Sequence, residues 1–98
     1  MSHEVRVPAL LLPSMPGILQ MMNAQVGRLE AAVDGGDFAA AARIGHNFKG
    51  AGGSCGFHEV TSSGARIEAH AKAGAAEALV KEIQWLKAHL ASAVISAE

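Results

Sequence analysis

Apolar residues in this 98-residue chain recur every three or four positions, and the runs are cut at short stretches bearing glycine. That rhythm puts the apolar side chains of each run on one face of an α-helix, where a half-buried strand would show strict alternation. The first run is Ile18, Met22, Val26, Leu29 and Val33, opened by Ser14-Met15-Pro16 and closed at Asp34-Gly35-Gly36. Proline suits a first helical turn, and glycine suits a left-handed stop. Asp37 then has the character of an N-cap for a second run through Phe38, Ala41, Ile44/Gly45, Phe48, Ala51 and Cys55. Gly56 marks a turn. A third run carries Val60, Gly64, Ile67 and Ala71 and stops at Gly74, and a fourth carries Leu79, Ile83, Leu86, Leu90 and Val94. No convincing alternating segment is read. Short connections between long helices favour antiparallel neighbours. The expected fold is therefore all-α, an antiparallel up-down four-helix bundle in one domain. Its helices cover about 15–34, 37–55, 58–73 and 75–95, behind a short N-terminal arm containing Pro8.

Length and charge narrow the function classes. A chain this short supports one modest core, not a core plus a large cofactor cleft. A formal net charge of −1 and four scattered aromatics leave neither the basic footprint nor the stacking platform of a nucleic-acid binder. The apolar run Val7–Leu12 is too short to span a membrane. Pro8, Pro13 and Pro16, with Glu4 before them, fit a signal peptide poorly. Cys55 is the single cysteine, so no disulfide forms within the chain. That suits a reducing cytoplasm and a buried, inert thiol. A monomer is expected.

The chemistry concentrates in residues 46–56, HNFKGAGGSCG. A dinucleotide loop must follow a strand and open a helix. The preceding FAAAARIGHNFK is helical in spacing, and its lysine comes before the glycines, not after them. The stretch therefore reads as the end of the second helix. At ~100° per residue, with Phe48 at zero, His46, Gly50 and Gly53 fall within about 40° of the opposite side. Ala39, Ala42 and Arg43 share or border that outer face, and Lys49 flanks it. Glycine weakens a helix by about 1 kcal/mol relative to alanine, so glycines beside a histidine suggest close approach by a partner. A neutral imidazole is a nucleophile near neutral pH. A phosphoryl group on it needs cationic partners, and Lys49 is within reach as a mobile point charge. A carboxylate on the other ring nitrogen would fix the tautomer.

These residues resemble a known family. His46, Phe48, Lys49-Gly50, Gly52, Gly56 with Phe57 and Val60 following, and the later pair Ile67-Glu68 are similar to the signature of histidine-containing phosphotransfer (HPt) domains. The likeness covers about residues 14–95. It implies a four-helix bundle with an exposed histidine on the second helix, relaying phosphoryl groups to and from receiver-domain aspartates in two-component phosphorelays. By position, His46 resembles the phosphoryl acceptor, Lys49 the phosphate-stabilising lysine and Gly50 the residue that clears space. Glu68, 22 residues beyond His46, resembles the Glu or Gln that orients the imidazole. Chemotaxis-kinase members carry a second histidine where this chain has Ala65, so it departs from that subgroup.

The resemblance implies a stoichiometric phosphocarrier, not an enzyme, without its own ATP site or intrinsic cofactor. Mg²⁺ is expected on the partner receiver. The implied partners are response-regulator receiver domains and a sensor or hybrid histidine kinase. They would dock on Ala39, Ala42, Arg43, Gly50 and Gly53.

Plainer readings stand beside these. Glu68 also has the i,i+4 spacing to pair with Lys72, and Arg43 is equally a solvent-facing arginine. His3, His58, His70 and His89 read as solvated or satisfied locally, and no metal site is expected, since zinc needs three or four converging ligands. Met15, Met21 and Met22 read as core and rim, and Trp85 as an edge residue. A non-catalytic helical adaptor is the alternative from another class.

Overall fold

The computed structural model describes residues 2–54 and 56–98, Ser54 by its backbone alone; the placement expected for Cys55 lies outside the described residues. In chain order come β1 (His3–Val7), a 3₁₀ segment (Ala9–Ser14), α1 (Met15–Asp34), α2 (Phe38–Ser54), α3 (His58–Lys72), α4 (Ala76–Ala91) and β2 (Ala93–Ala97). The chain is mostly helical. α1 packs on α2 and α4, α3 packs on the same two, and the α2–α3 contact is the most extensive.

The helix stops are built as their glycines demand. After α1, Gly36 takes φ 72°. Its N–H donates to the Val33 carbonyl, and the Asp37 N–H donates to that of Ala32. Gly56 and Phe57 repeat the pattern onto Gly53 and Gly52, and Gly74 and Ala75 onto Ala71 and His70. Each is a Schellman closure, which satisfies carbonyls the helix end would leave bare. Asp37 opens α2 by accepting the Ala40 N–H on Oδ1 at 3.1 Å, the N-cap bond its side chain suits.

The core lies between the four helices. Leu29, Val60, Ile67, Leu79 and Leu86 are fully buried there, joined by Met15, Met22, Val26, Phe48, Phe57, Ile83 and Leu90. Met21 stays exposed on the rim. Three glycines set the α2–α3 spacing. A Cβ on Gly45 would stand 2.8 Å from the Glu68 amide nitrogen, and one on Gly52 would stand 2.7 Å from that of Thr61. On Gly64 it would meet the Gly45 carbonyl oxygen at 2.6 Å and the Phe48 carbonyl carbon at 2.9 Å. Those partners are backbone, so the helices can lie this close only where the side chain is a hydrogen.

Both ends of the chain correct the all-α expectation. The fourth helix, expected to about residue 95, stops at Ala91, and residues 93–97 are a strand. The N-terminal arm is a strand too. The two pair in parallel, His3 with Ala93 through Val7 with Ala97, the four helices serving as the crossover. The reason lies in side-chain type. HEVRV buries Val5 and Val7 and exposes Glu4 and Arg6, which is strand alternation. Val94 and Ile95 are adjacent β-branched residues that favour a pleated surface over a helix. Val94, expected on the apolar stripe of helix four, is 53% exposed. Aromatic rings fasten the sheet to α4. The His3 ring stacks on His89 with centroids 4.0 Å apart, and His89 stacks on Trp85 at 4.7 Å. His3 Nδ1 meets Ser92 Oγ at 2.9 Å and His89 Nδ1 lies 3.4 Å from Glu59 Oε2, while His3 Nε2 is buried without a hydrogen-bond partner among the described residues.

Candidate functional site

His46 stands two turns into α2, on the face turned from the core, with its side chain 66% exposed. Phe48, two residues on, is buried and fixes the rotation of the helix. The α2–α3 closeness then brings Glu68 of α3 to the histidine. Glu68 Oε2 lies 3.2 Å from His46 Nδ1 and 3.4 Å from Lys72 Nζ. One oxygen of Glu68 thus contacts both the imidazole and the i,i+4 lysine. Glu68 is only 17% exposed. Desolvation pushes its carboxyl up; the charge of Lys72 and its hydrogen bond, with His46 and Lys49 behind, outweigh that and hold it below its ordinary value. The carboxylate therefore stays an anion and an acceptor for an imidazole N–H.

The other sequence-derived residues fall around this pair. Lys49 is exposed, and its charge reaches Glu68. An added Cβ on Gly64 would meet the Lys49 backbone nitrogen, so this lysine is carried at the tightest part of the α2–α3 crossing. Among the described residues, a Cβ on Gly50 would meet nothing within 4 Å beyond its own helix's backbone. Gly53 is exposed, with Thr61 Oγ1 at 3.5 Å from its notional Cβ. Ala39 and Arg43 are exposed, whereas Ala42 is turned partly against the core.

Between α1 and α2 runs an apolar groove of about 280 Å³ lined by Ile18, Met21, Met22, Ile44, Phe48 and Ala51, with Gln25 and Asn47. Sequence periodicity missed it by assigning Ile44 and Ala51 to the core stripe; Ile44 is half-buried and Ala51 exposed. The close packing of Gly45, Gly52 and Gly64 was missed as well. Its signal was present, since Gly45 and Gly52 are seven residues apart on the Phe48 side of the helix.

Among the described residues, no group of three or more His, Cys, Asp or Glu side chains is placed to hold a metal ion, and no helix is long and apolar enough to cross a membrane. A family model described as Hpt domain matches residues 15–94, from the first residue of α1 into β2. The chain belongs to the Hpt domain family. No curated protein and no solved structure gives a significant match. Hpt domains are phosphocarriers, not classical enzymes. They perform histidine phosphotransfer in two-component phosphorelays, exchanging with response-regulator receiver domains and histidine kinases. In this Hpt domain, His46 is the exposed histidine of α2 with a carboxylate at one ring nitrogen and open space one turn on.

Proposed function

We propose that His46 is the phosphoryl acceptor of a phosphorelay and that Nε2 is the reacting nitrogen. The observation carrying this reading is the 3.2 Å contact between Nδ1 of an exposed imidazole and the shielded Glu68 carboxylate. With Nδ1 protonated and held there, the lone pair lies on Nε2. That nitrogen attacks the phosphorus of a receiver aspartyl phosphate in line. A P–N bond forms, the acyl P–O bond breaks, and the aspartate leaves as carboxylate. The same steps reversed pass the group to another receiver. Lys49 balances the added charge on the phosphoryl oxygens, and the hydrogen side chain of Gly50 admits the partner.

The docking surface in this proposal is Ala39, Ala42, Arg43, Gly50 and Gly53, extended by the Ile18–Met21–Phe48 groove. The short helix connections support an up-down frame that keeps α1 and α2 side by side beneath it. The partner receiver supplies Mg²⁺ and most catalytic groups. This chain acts as a monomeric, cytoplasmic, stoichiometric carrier with no ATP site of its own.

The test mixes the pure protein with a phosphorylated receiver. Acid-labile, base-stable label should move to the wild type and not to His46→Gln. Label that never moves, or that still moves to the variant, overturns the proposal.

A further inference from the structure

Glu68 is packed closely at its backbone, and polar contacts reach its carboxylate. Its amide nitrogen is pressed against α2 at Gly45, where no Cβ fits. Its side chain then runs through torsions that packing must lock or a partner must hold. Among the described residues its polar partners are His46 and Lys72, and both meet the same atom, Oε2. Lys72 sits one turn further along α3, at the spacing where such pairs meet. Its side chain is 69% exposed. A pair so exposed contributes little to fold stability. It does restrict where the carboxylate oxygen rests, and that place is beside Nδ1.

We propose that Lys72 is a positioning residue for the phosphotransfer reaction. By holding Oε2 of Glu68 against His46 Nδ1, it keeps the proton on Nδ1 and the lone pair on Nε2. Lys72 does not touch the transferred group in this account; Lys49 does that. The two lysines divide the work across the α2–α3 seam, one facing the phosphoryl group and one facing the carboxylate.

The inference rests on the phosphotransfer reading, so its test has an arm independent of transfer. In the unphosphorylated protein at alkaline pH, where the imidazole is neutral, ¹⁵N NMR gives the ratio of the two tautomers. Wild type and Lys72→Arg should both favour the Nδ1–H form. In Lys72→Met the share of the Nε2–H form should rise about twofold, the scale of one exposed i,i+4 pair. Transfer from a phosphorylated receiver should slow by a similar factor, with an unchanged melting temperature. A wild-type tautomer ratio in Lys72→Met overturns the proposal, as does Lys72→Arg behaving like the methionine variant. A shifted ratio with an unchanged transfer rate overturns its link to the reaction. If no receiver phosphorylates even the wild type, the phosphotransfer reading fails, and the tautomer ratio still decides whether Lys72 positions the ring.

Discussion

The two sides of α2 use glycine for opposite ends. Toward α3, Gly45 meets Gly64 and Gly52 meets Thr61 across a seam where a single added carbon would press into backbone. Away from the core, a Cβ on Gly50 would meet no other described residue within 4 Å outside its own helix's backbone. One side gives up side chains so that another helix can come near; the other leaves room that no described side chain fills. The closed side makes the site, because the approach of α3 brings Glu68 to His46. In the proposed function, the open side admits the partner. A glycine in a helix is therefore informative only when its bearing relative to the neighbouring helix is known.

The contrast can be broken most sharply at the histidine. His46→Gln should abolish phosphoryl acceptance while moving stability by no more than about 0.5 kcal/mol, as exposed positions do. A large loss of stability would mean that His46 belongs to the packed side. Next is the seam. Gly64→Ala should destabilise the fold by about 1–3 kcal/mol in chemical denaturation, the usual cost of overpacking. Gly50→Ala should do the reverse, gaining up to about 1 kcal/mol from helix propensity, and it should slow phosphotransfer by crowding the partner. Equal effects of the two substitutions on stability would erase the distinction.

A third test asks whether the terminal strands belong to the packed region. Val7 is fully buried, and Val7→Ala should cost about 1.5–2 kcal/mol if β1 is part of the core. A neutral result would make the sheet an ornament on the bundle.

The smallest effect is in pH. Burial and the neighbouring His3 push His89 below its ordinary value, against the pull of Glu59. The unfolded chain therefore takes up this proton first as pH falls, and stability declines from the ordinary histidine range down to the depressed value. Glu68 and Glu82 are held below the ordinary carboxylate value. Their contribution is present above that value and is lost as pH drops through the lowered ones. Denaturation midpoints against pH should thus fall in two stages. His89→Gln should remove the upper stage and leave the lower, and Glu68→Gln should shrink the lower alone.

The helices were legible because each one ends on a local signal. Gly36, Gly56 and Gly74 close three of them by hydrogen bonds that span six residues or fewer, so the chain announces these stops without help from tertiary structure. α4 has no such signal. Ala91-Ser92-Ala93-Val94 continues the helical spacing from Leu90, and the β-branched pair Val94-Ile95 finds its strand partner only in β1 at the other end of the chain. HEVRV did carry a period of two, but five residues of alternation acquire a partner only through a contact some ninety positions away.

The candidate site divides the same way. His46, Lys49 and Gly50 lie within five residues of one helix, so helical geometry alone puts them on or beside one outer face. Glu68 and Lys72 come from the next helix, and spacing offered both a functional and an ordinary pairing with no means to choose. Sequence by itself determined the helical class, three of the four helix ends and which histidine stands in the glycine-rich stretch, because those depend on local hydrogen bonds and residue periodicity. Tertiary structure alone decided that α3 comes close enough for one carboxylate oxygen to serve His46 and Lys72 together, and that the chain ends form a sheet. Those outcomes depend on how near two backbones can pack, and that distance is set by pairs of residues remote in sequence.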